Sequence, residues 1–93
     1  MTYYIASGLE NSLRVGLAAE ALSRHTRTYD WTTHGDIRRE GPERMQGVSA
    51  AELEAVVAAE LALVLLPGGK GTHTELGAAL AAGREKRVIL WSE

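Results

Sequence analysis

The sequence predicts an α/β protein in which helices cover both faces of a short parallel sheet. Short apolar runs alternate with longer segments of helical periodicity, in the order β-α-β-loop-α-β-α-β. Such alternation is typical of parallel strands joined by right-handed crossovers. We therefore expect one three-layer, flavodoxin-like domain over residues 1–93, with about four strands in the order 2-1-3-4.

Composition and length limit the classes of function. The 93 residues suffice for one small domain with a thin core, so we expect further subunits to add stability. The formal net charge of −2 gives no basic surface for a nucleic-acid polymer, and the absence of cysteine excludes disulfides and thiolate chemistry. No apolar run approaches the roughly 20 residues of a membrane span, so we expect a cytoplasmic protein that binds no membrane.

The first half of the chain supplies two predicted strands and one predicted helix. Thr2–Ala6 is rich in strand-forming residues, and apolar residues at helical spacing predict a helix over Leu9–Arg24. Thr26–Trp31 is β-branched and aromatic, which predicts a second, less buried strand. Thr32–Gly47 carries most of the charge without clean periodicity, so we expect a surface loop with a short helical turn at Pro42–Met45.

The second half is organised around a strand, a glycine turn and a helix. Ser49–Glu60 is predicted as a helix, and the apolar run Leu61–Leu66 as the strand that follows it. A proline ends that strand, and the helix Thr72–Gly83 comes next, with Gly83 as its C′ residue. Arg87–Trp91 is interpreted as the last strand.

The turn after the third strand is the expected ligand site. Gly68, Gly69 and Gly71 place three glycines in four positions, which favours close approach of a ligand. Their spacing matches neither a Walker A loop nor a dinucleotide-binding motif. Ligands of open α/β sheets bind at the carboxyl ends of the strands, and the free N–H groups of a helix beginning at Thr72 favour an oxygen-rich ligand.

Residues at the ends of the first two strands complete this expected site. Tyr4, Ser7 and Gly8 would lie beside the glycine turn in the strand order 2-1-3-4. Tyr4 is either a packed aromatic or a hydroxyl that bonds a carboxylate across the cleft. Trp31 would stack on a planar base, or else pack in the core or at a subunit interface.

The remaining polar clusters carry weaker signals. The charges from Arg38 to Arg44 are interpreted as a solvated loop, in which Arg38 or Arg39 would contact an anion. The three histidines lack the spacing of metal ligands, so we predict neither a metal site nor a cofactor.

Two glutamates have two interpretations each. Glu75 follows Thr72, and Glu52 follows Ser49, at the spacing of a capping box, in which the carboxylate satisfies backbone N–H groups at a helix start. Alternatively, Glu75 points into the cleft as a nucleophile toward a sugar carbon. Glu52 would then be a second carboxylate, serving as an acid/base or as a hydroxyl anchor.

Two segments, TYYIASG at residues 2–8 and GTHTELGAALAAG at residues 71–83, resemble the nucleoside 2-deoxyribosyltransferase family. The resemblance extends over nearly the whole chain, and it implies that Glu75 attacks the anomeric carbon while Tyr4 orients it. It also places Glu52, eight residues before Glu60, where the family has an aspartate that holds the base or acts as acid/base. Family members form dimers or larger oligomers and are usually longer after the last strand, so contributions from that region are not carried over.

Two related groups of enzymes bear on the substrate. A branch of the same family hydrolyses deoxynucleoside monophosphates, holding phosphate with serines and an arginine near the first strand. Ser7 is available for this role, but Glu10 and Asn11 occupy the region where the arginine is expected. The segment PGGKGTHTE also resembles the P-G-G-x-G-T-x-x-E signature of the cytokinin-activating phosphoribohydrolases, often labelled lysine-decarboxylase-like. Both groups break a base–sugar bond with a glutamate at the start of the same helix.

We therefore expect an enzyme that cleaves or transfers the N-glycosidic bond of a (deoxy)nucleoside or nucleotide, acting as a homodimer or larger homo-oligomer. Glu75, Tyr4 and Glu52 are predicted to be catalytic. Seven residues are predicted to bind substrate: Ser7, Gly8, Trp31, Gly68, Gly69, Gly71 and Thr72. Two alternatives remain, a nucleotide- or sugar-phosphate-binding module without turnover and a structural subunit in which both glutamates only cap helices.

Overall fold

A computed structural model of the chain describes residues 1–33, 40–82 and 87–92. The strands are β1 (Thr2–Ala6), β2 (Thr26–Arg27), β3 (Leu61–Leu65) and β4 (Arg87–Trp91). The α-helices are α1 (Ser12–Ala21), α2 (Pro42–Ala58) and α3 (Lys70–Ala81), and short 3₁₀ turns occupy Leu9–Asn11 and Trp31–Thr33. The predicted Gly83 cap and the loop residues Arg38 and Arg39 lie outside the described residues.

The four strands form one parallel sheet in the order β2-β1-β3-β4, which confirms the predicted fold class and strand order. Tyr4 pairs with Ala62, and Ile5 pairs with Leu63, so β1 and β3 lie side by side at the centre. Because β1 continues into α1 and β3 into α3, the chain leaves these two strands in opposite directions. Ligands of such sheets bind at this point, outside the carboxyl ends of the strands.

Successive side chains of a strand point to opposite faces of the sheet, so their contacts show which face each helix covers. Tyr4 points toward α2 and α3, since its hydroxyl meets Glu52 on α2. Leu63 and Leu65 have the opposite parity and lie beside Leu17 of α1 in a shared groove. The core fills the space between the layers: Tyr3, Tyr4, Ile5, Ala6, Val15, Trp31, Ala55, Val56, Ala59, Leu61, Ala62, Val64, Leu65 and Ala79.

The predicted boundary between the loop Thr32–Gly47 and the helix Ser49–Glu60 was wrong. Helix α2 begins at Pro42, so Ser49 lies in its interior and caps nothing. Gly41 at the N-cap has φ 97°, a conformation that favours glycine, and Pro42 has its φ preset for the first helical position. The first turns of α2 are exposed and polar, so they lack the apolar periodicity that would have marked them as a helix.

The predicted helix start at Thr72 was also wrong. Helix α3 begins at Lys70, two residues sooner, with Gly69 as its N-cap and no side-chain cap hydrogen bond. The first predicted helix, Leu9–Arg24, begins instead with a 3₁₀ turn and ends at Ala21. The predicted strand Thr26–Trp31 is found only as far as Arg27. Beyond it, the N–H and hydroxyl of Thr28 donate to the carbonyl of Tyr3, and the hydroxyl also reaches the carbonyl of Ala55.

Candidate active site

Three acidic side chains from three elements meet on the α2/α3 face of the sheet. Tyr4 of β1 is wholly buried, and its hydroxyl donates to Oε2 of Glu52 on α2 across 3.3 Å. Glu75 of α3 is only 6% exposed and lies within hydrogen-bonding reach of both Tyr4 and Glu52. The structure therefore brings together the three residues that were predicted to be catalytic, from positions 48 and 23 residues apart in the chain.

Burial and mutual proximity change the acidity of this cluster. Loss of water around Glu75 is the largest cause that raises its pKa, and the hydrogen bond and negative charge of Glu52 raise it further, to about 9. A hydrogen bond from Tyr4 acts in the opposite direction, since it favours the ionised form of Glu75. Burial, followed by the two nearby carboxylates, raises the pKa of Tyr4 well above its usual range, so the phenol keeps its proton as a donor.

A count of protons describes what this cluster can do. Two carboxylates can form a hydrogen bond to each other only if one of them holds a proton, because an ionised carboxylate is an acceptor only. With its pKa raised to about 9, Glu75 holds a proton near neutral pH, and that proton lies beside the Glu52 carboxyl. Such a pair can present one ionised carboxylate and one carboxylic acid to the same substrate.

Neither glutamate caps a helix, so the capping interpretation is wrong for both. Gly69 is the N-cap of α3, which places Glu75 in the second turn of the helix. Glu52 lies in the interior of α2, ten residues after its first residue, Pro42. A buried carboxyl in a helix interior needs another partner, and here the partner is the Tyr4 hydroxyl together with the other carboxyl.

The glycines of the turn after β3 differ in what surrounds them. A Cβ built on Gly68 would lie 2.5 Å from Cβ of Thr72, which is itself buried. Gly68 is thus required by packing within the chain. From the sequence, by contrast, all three glycines were attributed to the close approach of a ligand. Among the described residues, and apart from the adjoining backbone, no heavy atom lies within 4 Å of a Cβ built on Gly69 or Gly71. Open space beside these two glycines is what a ligand would need.

The predicted residues at the end of β1 form an internal network. The Ser7 hydroxyl donates to the carbonyl of Leu65 across 2.7 Å, and Asn11 Nδ2 donates to Ser7 Oγ across 3.0 Å. These bonds hold the end of β1 against the end of β3. Asn11 lies at the N-cap position of α1 but makes no side-chain cap hydrogen bond. Its bond to Ser7 was not predicted from the sequence.

Trp31 was predicted either to stack on a planar base or to pack, and the structure places it in the core. Its side chain is 5% exposed, and its indole N–H donates to the carbonyl of Ile5 across 2.7 Å. This contact supports the end of β1, so the packed alternative describes Trp31 better than the stacking one. Gly8 precedes the 3₁₀ turn in an extended conformation, and the carboxylate of Glu10 packs against it. The position of Glu10 was also not foreseen.

Comparison with known proteins assigns this chain to no family. No family model, curated protein or solved structure matches this chain. The site must therefore be argued from its own residues.

Two further observations concern the described residues. Within residues 1–33, 40–82 and 87–92, no three His, Asp or Glu side chains cluster in a way that would hold a metal ion. In the same ranges, none of the helices combines the length and the apolar character that a bilayer crossing requires.

Proposed function

We propose that this protein cleaves or transfers the N-glycosidic bond of a (deoxy)nucleoside or nucleotide, with Glu75 as the nucleophile. The observation that carries the proposal is the placement of Glu75, which is buried against Tyr4 and Glu52 and caps no helix. Glycosidic chemistry uses two carboxyl groups, one ionised and one protonated, flanking the bond that breaks. The resemblance of TYYIASG and GTHTELG to the deoxyribosyltransferases supports the same assignment.

The proposed reaction has two steps that conserve protons. A Glu75 oxygen forms a bond to C1′ of the sugar, the C1′–N bond breaks, and its electron pair remains on the base nitrogen. Glu75 passes its proton to Glu52 as it attacks, and Glu52 gives that proton to the base nitrogen. Water or a second base then attacks C1′ and displaces Glu75, and the proton lost by the attacking group returns to Glu52.

Tyr4 has a positioning role in this scheme. Its O–H donates to the carboxyl pair in the free protein, and a hydrogen bond to Glu75 favours the ionised form that attacks. The phenol is held in place by complete burial in β1. The open side of Gly69 and Gly71, at the N-terminus of α3, would seat sugar oxygens.

Self-association belongs to the same proposal. Parallel sheets are normally covered on both faces, yet α1 is the only described helix on its face, and the sheet beyond it stays open. A groove of about 490 Å³ lies there, between Leu17 of α1 and Leu63 and Trp91 of the sheet. Leu13 and Leu17 are 80% and 59% exposed, so a second copy of the chain would cover them. Light scattering across a concentration series measures this association.

A panel of 2′-deoxynucleosides, ribonucleosides and their monophosphates tests the activity. We expect release of base, or exchange when a second base is present, with at least one member of the panel. Glu75→Ala should abolish it. If no member yields a product but calorimetry detects binding that Glu75→Gln leaves unchanged, the protein is a binding module and the proposed activity is refuted.

A further inference from the structure

Strand β4 forms one edge of the sheet, and no strand of the described residues pairs with its outer side. The opposite edge, β2, is two residues long, whereas β4 has five. Ile89, Leu90 and Trp91 of β4 are 50%, 56% and 41% exposed. Proteins usually protect such an edge with charges, proline or a bulge, and β4 carries a single charge, on its first residue, Arg87. A long apolar edge of this kind is suited to pairing with another strand.

The backbone of β4 directs hydrogen-bonding groups to that outer side. The N–H of Arg87 donates to the carbonyl of Glu60, next to the start of β3, and the carbonyl of Trp91 accepts from the residue that follows β3. The odd-numbered residues of β4 therefore bond toward β3. Alternate residues of a paired strand direct their N–H and C=O groups to opposite sides, so Val88 and Leu90 direct theirs away from the sheet.

The accessible surface of the chain is large for its mass. The chain exposes 6026 Å², whereas a folded monomer of 10.0 kDa is expected to expose about 5,200 Å². The excess of about 800 Å² is the area that one partner contributes to a protein–protein interface of standard size. Ile89, Leu90 and Trp91 also line the apolar groove beside α1, so the groove and the edge form one continuous surface. An occupant the size of a protein matches this surface.

We propose that β4 pairs antiparallel with β4 of a second copy, across a twofold axis at Ile89, to form one continuous eight-stranded sheet. This inference rests on the self-association in the proposed function and specifies the surface that carries it. With the axis at Ile89, all five residues of one β4 lie opposite those of the other. Val88 then lies opposite Leu90, and because both direct their N–H and C=O groups outward, they form a hydrogen-bonded pair on each side of the axis.

The side chains are complementary in the same register. Ile89 lies opposite Ile89 of the second copy in a non-hydrogen-bonded pair, where side chains approach most closely. Arg87 lies opposite Trp91 of the second copy, and a guanidinium beside an indole ring is a favourable contact. The twofold axis is perpendicular to the sheet, so both copies carry α1 on the same face and their apolar grooves join across the axis. Each copy uses its one β4 edge, so the pairing closes at two copies.

The first test uses the opposition of Ile89 to itself. Ile89→Lys and Ile89→Glu each place two like charges opposite one another, so each variant alone should associate at least 10-fold more weakly than the wild type in light scattering. An equimolar mixture of the two variants should recover the dimer mass, because lysine then lies opposite glutamate. Leu80→Lys changes another exposed leucine, on α3, and should dimerise like the wild type.

The second test addresses the backbone. Val88→Pro removes an N–H that points outward and leaves the bonds from the odd-numbered residues to β3 in place. It should weaken the dimer at least 10-fold. Val88→Ala shortens the same side chain but keeps the N–H, so it should dimerise nearly as well as the wild type. Circular dichroism establishes that each variant is folded before its mass is compared.

The outcomes separate this pairing from the proposed activity. A monomeric wild type, a mixture of the two Ile89 variants that stays monomeric, or equal association of Val88→Pro and Val88→Ala would overturn the pairing. Association that is lost in Leu17→Glu but kept in Ile89→Lys would place the second copy against α1 alone and overturn it as well. Base release is measured separately on the wild type. If none occurs while the masses follow the expected pattern, the activity fails and the pairing stands.

Discussion

The Tyr4 hydroxyl and Glu52 Oε2 lie 3.3 Å apart, joining the central strand β1 to helix α2. The phenol has one hydrogen, and two carboxyl groups, those of Glu52 and Glu75, compete for it. The three side chains therefore form one cluster, in which Glu52 raises the pKa of Glu75 and a hydrogen bond from Tyr4 lowers it.

The first prediction concerns stability and pH. The pKa of Glu75 is raised from 4.5 to about 9 in the folded protein, so the folded chain holds a proton that the unfolded chain has released. The stability that this proton contributes is complete below pH 4.5 and is lost as pH rises toward 9, with a slope of up to about 1.4 kcal/mol per pH unit. Urea unfolding at pH 5, 7 and 9 should show this decline in the wild type and a flatter profile in Glu75→Gln.

An exposed glutamate of α2 provides the control for that experiment. Glu54→Gln removes the same group from a solvated position, so it should leave the wild-type pH dependence intact. A slope that survives Glu75→Gln would mean that another group accounts for it.

The second prediction is that activity has a basic limb near pH 9. Above the pKa of Glu75 the carboxyl pair has lost that proton, so no acid remains for the leaving base. Tyr4→Phe removes a hydrogen bond that lowers the pKa of Glu75, and the basic limb should move to higher pH. The maximal kcat should also fall roughly 10- to 100-fold, because a hydrogen bond to a charged group is worth about 1.5–3 kcal/mol.

Tyr3→Phe is the matched control for Tyr4→Phe. Tyr3 is also buried, but it precedes Tyr4 in the same strand and so points to the opposite face of the sheet. Its pH–rate profile should coincide with that of the wild type. An unchanged profile in Tyr4→Phe would remove the phenol from the mechanism.

The third prediction separates the acid from the nucleophile. Glu52→Gln should slow release of an ordinary base by about 10²–10⁴-fold, the usual range for loss of a general acid. It should have little effect on a 2-deoxyribosyl substrate whose leaving group needs no proton. The hydrogen bond and charge of Glu52 both raise the pKa of Glu75, so the acidic limb seen with that substrate should move to lower pH. Equal losses with both kinds of leaving group would contradict an acid role.

The fourth prediction distinguishes two glycines of the same turn. Gly68→Ala should destabilise the fold by about 1–3 kcal/mol, because its Cβ would collide with the buried Thr72. Gly69→Ala should leave stability nearly unchanged, since the space around it is open and its backbone is extended. If that space seats the substrate, Gly69→Ala should still raise KM. Thermal unfolding and steady-state kinetics on both variants provide the comparison.

The strands were the easiest part of the fold to predict. Leu61–Leu65 is a short apolar run bounded by a proline, and Arg87–Trp91 is rich in β-branched and aromatic residues, so local pattern suffices for both. The strand order 2-1-3-4 was expected by analogy with flavodoxin-like sheets, and right-handed crossovers are compatible with it. Long-range information was hardly needed at this level.

Helix starts were harder, because the S/T-x-x-E pattern occurs inside helices as well as at their ends. Ser49 and Thr72 looked like caps, but the chain begins both helices at glycines, Gly41 and Gly69. Gly41 has a positive φ that favours glycine, and Gly69 is extended. A spacing of residue types reports neither conformation.

The candidate site, like the fold, could be predicted only in part from local sequence pattern. The grouping of Tyr4 with Glu75 was expected from the cleft between β1 and β3, and the structure adds a bond from Tyr4 to Glu52. Burial of Trp31 and the position of the Glu10 carboxylate could not be read from spacing. Both depend on side-chain packing between segments that the sequence pattern describes separately.

The most direct test of the account is the fate of Glu75 during turnover. The protein is mixed with a 2′-deoxynucleoside substrate, quenched with acid during the first turnovers and examined by mass spectrometry. The account predicts a 2-deoxyribosyl group on the peptide that contains Glu75, and neither adduct nor base release in Glu75→Gln. Release of base that persists in Glu75→Gln, or a sugar attached to any other residue, would contradict it.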